Sequence, residues 1–478
     1  MGYCLNREYI LNFGHATNLV CSLLCSLVLL FSPLTSEAAL FGEFTLKDEM
    51  DMGREFDALV RSSMPLVEDP EVKNYVQGIV DSIVKTLPPQ PYAFRTSVLL
   101  EPSLNAFATP GGFVFVHTGL IQNLEHESEL AGVLAHEIAH VTQRHIAKRM
   151  ERGQVISLAT LAAAIAGLAA GGGGQTGGAA MIAAGAAGSA AMLNYSRTDE
   201  SDADRFGLRY LTEAGYDPSG LSGAFRKIQE QSWGRAGSIP TYLSTHPGIT
   251  ERLSMLEAHQ KGLPARKVKT DDSRFQRVRT LIWARYGDMQ HAEQVFLSMK
   301  SSDPLRFLGL GILNARRNRV ADAQKAFDEA LRLAPRDELV LREAGTFQYL
   351  MGDAVQARKL LEAALKIAPD DYMGLFFYAR LLDDTGQAKR AAQMYEKVLT
   401  FVPEDAEVHT YYGRSLGKNN QQFSGFLHLA YAALYSNDAR RVDGWLEKAR
   451  PLALSDAEKK RLADFEEQLN ARKKLWKK

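Results

Sequence analysis

The stretch AGVLAHEIAHVTQRH (residues 131–145) places three histidines and a glutamate in one segment with helical periodicity. Within it, His136, Glu137 and His140 form the pattern H-E-x-x-H. Residues four apart lie on one face of a helix, so both imidazoles can reach one metal ion. Glu137 points about a third of a turn aside, where its carboxylate can take a proton from water. The pattern predicts a helix that carries two zinc ligands and a general base for hydrolysis.

The same stretch limits where the remaining ligand can lie. A metzincin has glycine and histidine at the positions of Gln143 and Ile146, so this chain departs from that arrangement. His145 lies nine residues after His136 and nearly opposite it on a helical wheel. We therefore expect His145 to be a surface or structural histidine and the third ligand to come from another segment.

The best downstream candidate is SRTDESDADRFG (residues 196–207), in which Glu200 and Asp204 are four residues apart. On one helix face, Glu200 could complete a site of two histidines and one glutamate. Asp204 could then accept a hydrogen bond from a ligand imidazole. The alternative is an acidic first helical turn that complements the helix dipole.

The second half of the chain repeats with a period of 34 residues. Prolines recur at this spacing in the segments LRLAPRDE, LKIAPDDY and LTFVPEDA, and small and large apolar residues share the period. The equivalent positions are Pro335, Pro369 and Pro403; Ala323, Ala357 and Ala391; and Phe327, Leu361 and Tyr395. This pattern resembles tetratricopeptide repeats and predicts an α-solenoid of paired helices.

The start of the chain has the pattern of a secretory signal. A 13-residue apolar run, Leu19–Phe31, is followed by the small residues Ser36 and Ala38 in a signal-peptidase arrangement, which predicts a signal peptide over 1–38. Because the polar start is long, an uncleaved membrane anchor is the alternative. All cysteines lie inside it, so thiolate catalysis and a cysteine-based zinc site are excluded from the mature chain; they are Cys4, Cys21 and Cys25. Export of a cysteine-free chain predicts the periplasm of a Gram-negative bacterium.

Charge and hydropathy limit the classes of partner that the chain is expected to bind. Lys and Arg together number 56, as do Asp and Glu, so a nucleic-acid partner is not expected. Residues 155–193 carry no charge and consist of two Ala-rich runs around a Gly-rich block. Each run is shorter than the ~20 residues of a spanning helix. We expect two buried or interfacial helices there, with peripheral contact to a membrane or a hydrophobic partner as the alternative.

Three motifs together resemble the M48 family of zinc metallopeptidases: NAFATPGG (105–112), HEIAH (136–140) and E-x-x-A-D (200–204). The resemblance implies a mostly helical, zincin-type (gluzincin) domain with a small β-sheet and one Zn²⁺ per chain. It implies His136, His140 and Glu200 as zinc ligands and Glu137 as general base. It also implies a role in outer-membrane protein quality control, with outer-membrane proteins or their assembly machinery as substrates and partners reached through the repeats.

A fourth histidine draws on the same resemblance, since similar His-Pro segments lie near the catalytic centre of M48 proteins. In LSTHPGITERL (243–253), His246 could hold the open coordination position and keep the enzyme latent, or could stabilise the tetrahedral oxyanion. The alternative is an ordinary loop histidine beside Pro247. Arg252 is a candidate for transition-state or loop-anchoring contacts.

The segment before the motif helix has period-two character, and the turn Pro110-Gly111-Gly112 predicts a hairpin. In zinc peptidases of this design an edge strand holds the substrate backbone. We expect residues 113–118 to be that strand, and an ordinary buried hairpin is the alternative. The candidate substrate-wall residues are Asn105, Phe107, Phe113 and Phe115.

These observations predict a peptidase domain over 39–265 and a tetratricopeptide domain over 272–478. The expected function is a periplasmic zinc endopeptidase that cleaves misassembled or stalled protein segments, with repeats that recruit partners and have chaperone-like activity. The alternative is an exported tetratricopeptide adaptor or chaperone whose peptidase site is largely latent.

Overall fold

Helices make up most of the protein, and the sequence places a polar cap at the start of many of them. The computed structural model describes residues 44–151, 195–234, 241–263 and 267–476. The predicted signal peptide and the uncharged segment 155–193 lie outside these residues. Ser196 illustrates the capping: its hydroxyl accepts from the Asp199 amide while the Asp199 carboxylate accepts from the Ser196 amide. Among the described helices, none is both long and apolar enough to cross a membrane.

The N-terminal part combines nine helices of the described residues with one small sheet. The helices are α1 (Leu46–Ser63), α2 (Pro70–Val84), α3 (Thr118–Asn123), α4 (Glu127–Thr142), α5 (His145–Glu151), α6 (Arg197–Glu213), α7 (Ser219–Gly234), α8 (Thr241–Thr245) and α9 (Ile249–Lys261). The strands are β1 (Arg95–Leu99), β2 (Ala106–Thr109) and β3 (Phe113–His117). The predicted fold class, mostly α with a small sheet, is confirmed.

The predicted hairpin forms, but its strands are placed differently from the expectation. β2 and β3 pair antiparallel around Gly111 and Gly112, whose φ angles of +79° and +86° favour glycine. The strand order is β1-β3-β2, because β1 pairs in parallel with the other side of β3. The expectation that residues 113–118 form the edge strand is therefore wrong: β3 is central, and β2 is the edge.

The phenylalanines proposed as a substrate wall are core residues. Phe107, Phe113 and Phe115 are buried in a small cluster with Phe56 of α1, on the side of the sheet away from α4. The Phe107 and Phe115 rings stack with their centroids 4.9 Å apart. Their role is to attach α1 to the sheet, because period-two alternation turns them away from the motif helix.

Helix α4 is the centre of the N-terminal core, and its residues 129–141 are all buried. It contacts α6, α7 and the sheet edge β2. Gly207 of α6 allows a close crossing: a Cβ there would lie 3.0 Å from the His136 backbone. The predicted motif helix does not continue to His145, since α4 ends at Thr142 and Arg144 adopts a positive φ of +55° before α5 begins.

The second part is a stack of paired helices that confirms the predicted tetratricopeptide solenoid. The repeated alanines and large apolar residues of the 34-residue period are buried between the paired helices. The helices are α10 (Ser273–Tyr286), α11 (Met289–Ser298), α12 (Pro304–Arg316), α13 (Val320–Leu333), α14 (Glu338–Leu350), α15 (Ala354–Ile367), α16 (Tyr372–Asp384), α17 (Ala388–Phe401), α18 (Ala406–Lys418), α19 (Gln422–Tyr435), α20 (Ala439–Ala449) and α21 (Asp456–Trp476).

A network of buried charges, the junction cluster, joins the two parts. Arg285 of α10 contacts carboxylates on α14 and at the start of α2, and Arg342 of α14 does the same. The members of the junction cluster are Arg285, Arg342, Asp69, Glu71, Glu343 and Asp371. Each carboxylate therefore meets a guanidinium across or beside the junction.

Candidate metal centre

Four side chains converge on one point in the buried interior of the N-terminal part. One ligand atom from each of His136, His140, Glu200 and His246 can be chosen so that all four lie within 4.8 Å of one another. His136 Nε2 lies 3.0 Å from His140 Nε2 and 3.4 Å from His246 Nδ1, and Glu200 Oε1 lies 2.9 Å from His246 Nδ1. Every one of these residues is at most 2% exposed.

Three separate segments supply the four groups. His136 and His140 are one turn apart on α4, and Glu200 lies in the first turn of α6, which crosses α4 at Gly207. His246 follows α8, and its amide bonds back to the Tyr242 carbonyl. The H-E-x-x-H spacing and the close helix crossing thus place two imidazoles and a carboxylate together, as expected.

Each histidine on α4 has a neighbouring side chain close to its second ring nitrogen, although His136 Nδ1 makes no hydrogen bond of normal geometry. His136 Nδ1 lies 3.0 Å from an Asp204 carboxylate oxygen, in the place predicted for that residue. His140 Nδ1 lies 2.9 Å from His145 Nδ1. With these neighbours on the outer side of the rings, Nε2 of both imidazoles is directed at the centre.

The position of His145 differs from the one that the helical wheel predicts. It is buried and in contact with His140, whereas a continuous helix would have turned it nearly opposite. The reason is the interruption after Thr142: Arg144 is left-handed and ends the helical path, so the position of His145 no longer follows the wheel. His145 does not belong to the convergent set of ligand atoms, and because it is buried it is a structural and not a surface residue.

Two aromatic side chains flank the histidines. The Tyr195 ring stacks on His140 with centroids 3.7 Å apart, and the Tyr242 ring stacks on His246 at 4.3 Å. A backbone hydrogen bond from the Tyr195 amide to the Thr245 carbonyl joins the two segments that carry these rings. Sequence reasoning missed both tyrosines; Tyr242 carried a signal, since it lies one helical turn before His246.

Arg252 binds carboxylates and does not point at open space. Its Nε and Nη2 donate to the two oxygens of Asp204, each at 2.7 Å, and Nη1 contacts Glu200. Burial alone would raise the pKa of Glu200, but His246 and Arg252 outweigh burial and hold that pKa well below its usual range. Of the two roles expected for Arg252, the anchoring of neighbouring groups fits this geometry.

Glu137 lies beside the convergent set without being part of it. Neither of its carboxylate oxygens makes a hydrogen bond within normal limits, and Oε1 lies 3.5 Å from His246 Nε2. Burial raises the pKa of Glu137 to about 7, although His246 and the Ala108 amide act in the opposite direction. A carboxylate with a pKa near neutrality can both accept and donate a proton.

The donor set fits a divalent cation. His136 and His140 turn Nε2 lone pairs toward each other at 3.0 Å, which is unfavourable unless a cation or a proton lies between them. Glu137, Glu200 and Asp204 together exceed the single positive charge of Arg252. Imidazole and carboxylate ligands in a buried, negatively charged site suit zinc and similar ions.

The edge strand β2 runs past this centre. The His117 amide donates to the Asn105 carbonyl, and this phase of pairing directs the backbone groups of Ala106 and Ala108 away from β3. A recess beside the edge is lined by Ala108, His140 and Tyr195 among others. Asn105 is buried and its side-chain oxygen has no hydrogen-bond partner, whereas the three phenylalanines lie in the cluster with Phe56.

Comparisons with known proteins agree with this geometry. Residues 67–260 match peptidase family M48, and residues 348–414 match tetratricopeptide repeats. The chain is 32% identical over 225 residues to the putative beta-barrel assembly-enhancing protease of Vibrio cholerae. The aligned region covers 47% of this chain and 46% of that protein.

Two further relatives show the same extent of similarity. The beta-barrel assembly-enhancing protease of Escherichia coli is 30% identical over 211 residues, 44% of this chain and 43% of that protein. The mitochondrial metalloendopeptidase OMA1 of Schizosaccharomyces pombe is 29% identical over 200 residues, 42% of this chain and 55% of that protein. The chain thus matches about half the length of these relatives.

Proposed function

Because the chain contains an M48 peptidase domain followed by tetratricopeptide repeats, we propose that it is a zinc-dependent endopeptidase. The observation that carries the proposal is the convergence of His136, His140 and Glu200 beside Glu137. One Zn²⁺ held by the two imidazoles and the carboxylate would act as a Lewis acid toward water and the scissile carbonyl.

The general base is Glu137. Its carboxylate accepts a proton from the attacking water and returns it to the leaving amine, and a pKa near 7 suits both transfers. Asp204 and His145 keep the ligand imidazoles in one tautomer through their Nδ1 atoms, which prevents the rings from turning away. Arg252 holds Glu200 and Asp204 in place.

The substrate lies as an added strand on β2. The outward backbone groups of Ala106 and Ala108 offer hydrogen bonds to an extended chain, and the edge passes close to Glu137. An added strand at this edge would bring a scissile peptide alongside the centre. Specificity then depends on the recess lined by His140 and Tyr195.

His246 keeps this site latent. Its Nδ1 lies among the ligand atoms while its Nε2 lies 3.5 Å from Glu137, so the imidazole occupies the space that a substrate carbonyl and water need. All four convergent side chains are buried. Activation therefore requires His246 to leave, together with the segment that follows α8.

The direct test is the variant Glu137→Gln, which removes the base and keeps a similar shape. We expect the variant to bind one zinc per chain and to cleave casein about 1,000-fold more slowly than the parent, because general-base catalysis contributes on that order. Metal is measured by plasma mass spectrometry and cleavage by release of fluorescent peptides. Cleavage at the parent rate by Glu137→Gln would overturn the proposed mechanism.

The latent role of His246 has a test of opposite sign. We expect His246→Ala to cleave casein about tenfold faster than the parent, since it frees one position of the site and leaves three ligands. The matched control is His259→Ala, on the exposed side of α9, which should cleave at the parent rate. A slower His246→Ala enzyme with full zinc content would favour oxyanion stabilisation instead.

We place this activity in the Gram-negative periplasm, in the quality control of outer-membrane proteins. The predicted signal peptide and the names of two bacterial relatives support this setting. In the second candidate function the chain is mainly an adaptor or chaperone with a silent site, which the burial of all four convergent side chains favours. If Glu137→Gln still restores outer-membrane integrity to cells that lack the protein, this second function is the dominant one.

A further inference from the structure

The inner face of the repeats carries an arginine enclosed by aromatic rings. The Arg380 guanidinium carbon lies 5.2 Å from the ring centroid of Tyr349, 5.5 Å from that of Phe377 and 4.4 Å from that of Tyr411. These rings come from α14, α16 and α18, the first helices of three successive units. All four side chains, here called the Arg380 cluster, are partly exposed.

The Arg380 cluster lies on the inner side of the solenoid, where a partner can bind. The first helix of each unit contacts the first helix of the next, so these helices line the inner side of the curved stack. The 34-residue period also places Arg414 equivalent to Arg380 and Tyr411 equivalent to Phe377. Arginine and aromatic side chains thus recur along one face.

The neighbouring arginine on this face shows that an arginine in this region binds carboxylates. Arg342 lies on the preceding first helix and takes a carboxylate from Glu71 of the N-terminal part, besides those of Glu343 and Asp371. That part of the inner face is therefore already an interface with the N-terminal part, and the contacts that Arg342 makes there are ion pairs with carboxylates. The Arg380 cluster continues the same face into the next unit.

Arg380 has no such partner in the described structure. No carboxylate of the described residues lies within 4.0 Å of its side-chain nitrogens, and its buried Nε has no hydrogen-bond partner. Glu407 interacts with it only at longer range. The aromatic rings cover part of the guanidinium, and a lower exposure to water strengthens an ion pair formed there.

We propose that the Arg380 cluster binds an extended peptide segment of a partner protein, with a carboxylate on Arg380 and an apolar side chain on the rings. The carboxylate is that of an Asp or Glu side chain or of a chain terminus. The inference rests on the proposed role of the repeats in recruiting proteins. Its test measures peptide binding and not cleavage, so this proposal can fail while the proposed peptidase function stands.

The test uses the full chain with Glu137→Gln, so that the probe is not cut, and fluorescence anisotropy with three labelled peptides. The first peptide is Ser-Gly-Ser-Phe-Glu-Phe-Ser-Gly with an amidated end, and the second has Gln in place of Glu. The third is the Gln peptide shortened to end at its last Phe with a free carboxylate. The second and third peptides separate a side-chain carboxylate from a terminal one.

Adding Arg380→Gln should weaken binding of a carboxylate peptide about tenfold or more and leave the amidated Gln peptide within about twofold. Glu407→Gln should tighten binding of the carboxylate peptides, because it removes a competing negative charge. Arg390→Gln, an equal loss of charge at an exposed position of the same unit, should change nothing. Thermal melting of each variant checks the fold.

Two results would overturn the proposal. One is that no peptide with a carboxylate binds more tightly than the amidated Gln peptide. The other is that Arg380→Gln weakens all three peptides equally, which indicates damage to the groove and not loss of a carboxylate contact. Arg380→Lys, which keeps the charge, should fall between the parent and Arg380→Gln.

Discussion

The junction cluster and the metal centre both contain buried arginines and carboxylates, and they differ in how these charged groups are paired. In the junction cluster every carboxylate meets a guanidinium. In the metal centre Arg252 pairs with Glu200 and Asp204, and the inner nitrogens of three imidazoles face one point together with Glu200. Glu137 lies beside this point, and its carboxylate oxygens make no hydrogen bond. Compensated charges hold parts of the molecule together, whereas ligand atoms that converge on one point mark a place for an ion and for chemistry.

The largest predicted effects separate the two clusters by their response to metal. Arg342→Ala should lower the free energy of unfolding by about 3–5 kcal/mol, because it leaves buried carboxylates without a counter-charge. Arg252→Ala should lower it by a similar amount in the metal-free protein. Zinc should restore much of the loss in Arg252→Ala and none in Arg342→Ala, since a dication can neutralise Glu200 and Asp204.

Urea titrations followed by tryptophan fluorescence, with zinc and with a chelator, measure this difference. Arg342→Lys is the matched control at the junction, because it keeps the charge and loses the fork geometry. An equal response of Arg252→Ala and Arg342→Ala to zinc would remove the distinction between the two clusters.

A smaller effect is predicted for the histidine that holds a ligand. His145→Ala should weaken zinc binding about 10–100-fold, as loss of a group behind a metal-bound imidazole does. His145→Asn should recover part of the affinity, since its amide oxygen can accept from His140 Nδ1. Competition with a coloured chelator gives the affinities, with His259→Ala as control. Unchanged affinity in His145→Ala would show that His140 needs no such support.

The smallest effect is a pH dependence in the repeats, far from any metal ligand. Burial and the neighbouring His409 lower the pKa of His428 to about 3, so the folded protein keeps this imidazole neutral. Below its unfolded pKa of about 6.5 the unfolded chain binds a proton that the folded one does not, so stability falls as pH drops toward 3.

The parent should therefore lose about 1–2 kcal/mol more stability between pH 7 and pH 5 than the variant His428→Gln. Urea midpoints at the two pH values measure the difference. If both proteins lose stability equally, His428 is protonated in the folded state or contributes nothing to the acid side of the stability curve.

Much of this architecture could be predicted from local patterns. The 34-residue period specified the paired helices because each repeated alanine and large apolar residue fills the same buried position. The spacing of His136 and His140 specified their shared face, and the spacing of Glu200 and Asp204 did the same on α6. In each case the helix repeat alone relates sequence to geometry.

What could not be predicted depends on contacts between distant segments. The order of the strands follows from the pairing of β1 with β3, which no alternation within β3 encodes. The burial of His145 follows from one residue, Arg144, in a left-handed conformation that few side chains adopt. Tyr195 reaches His140 only because α4 and the segment before α6 are neighbours in the fold.

Helix α10 belongs to both halves of the molecule at once. Phe275, Val278 and Ile282 are part of the N-terminal core, while Leu281 and Trp283 are part of the repeat core. A genetic exchange that swapped the repeats at the apparent boundary before residue 272 would leave one core open and give the other a foreign helix. The two modules are therefore expected to have been inherited together, with α10 as the segment that neither can lose.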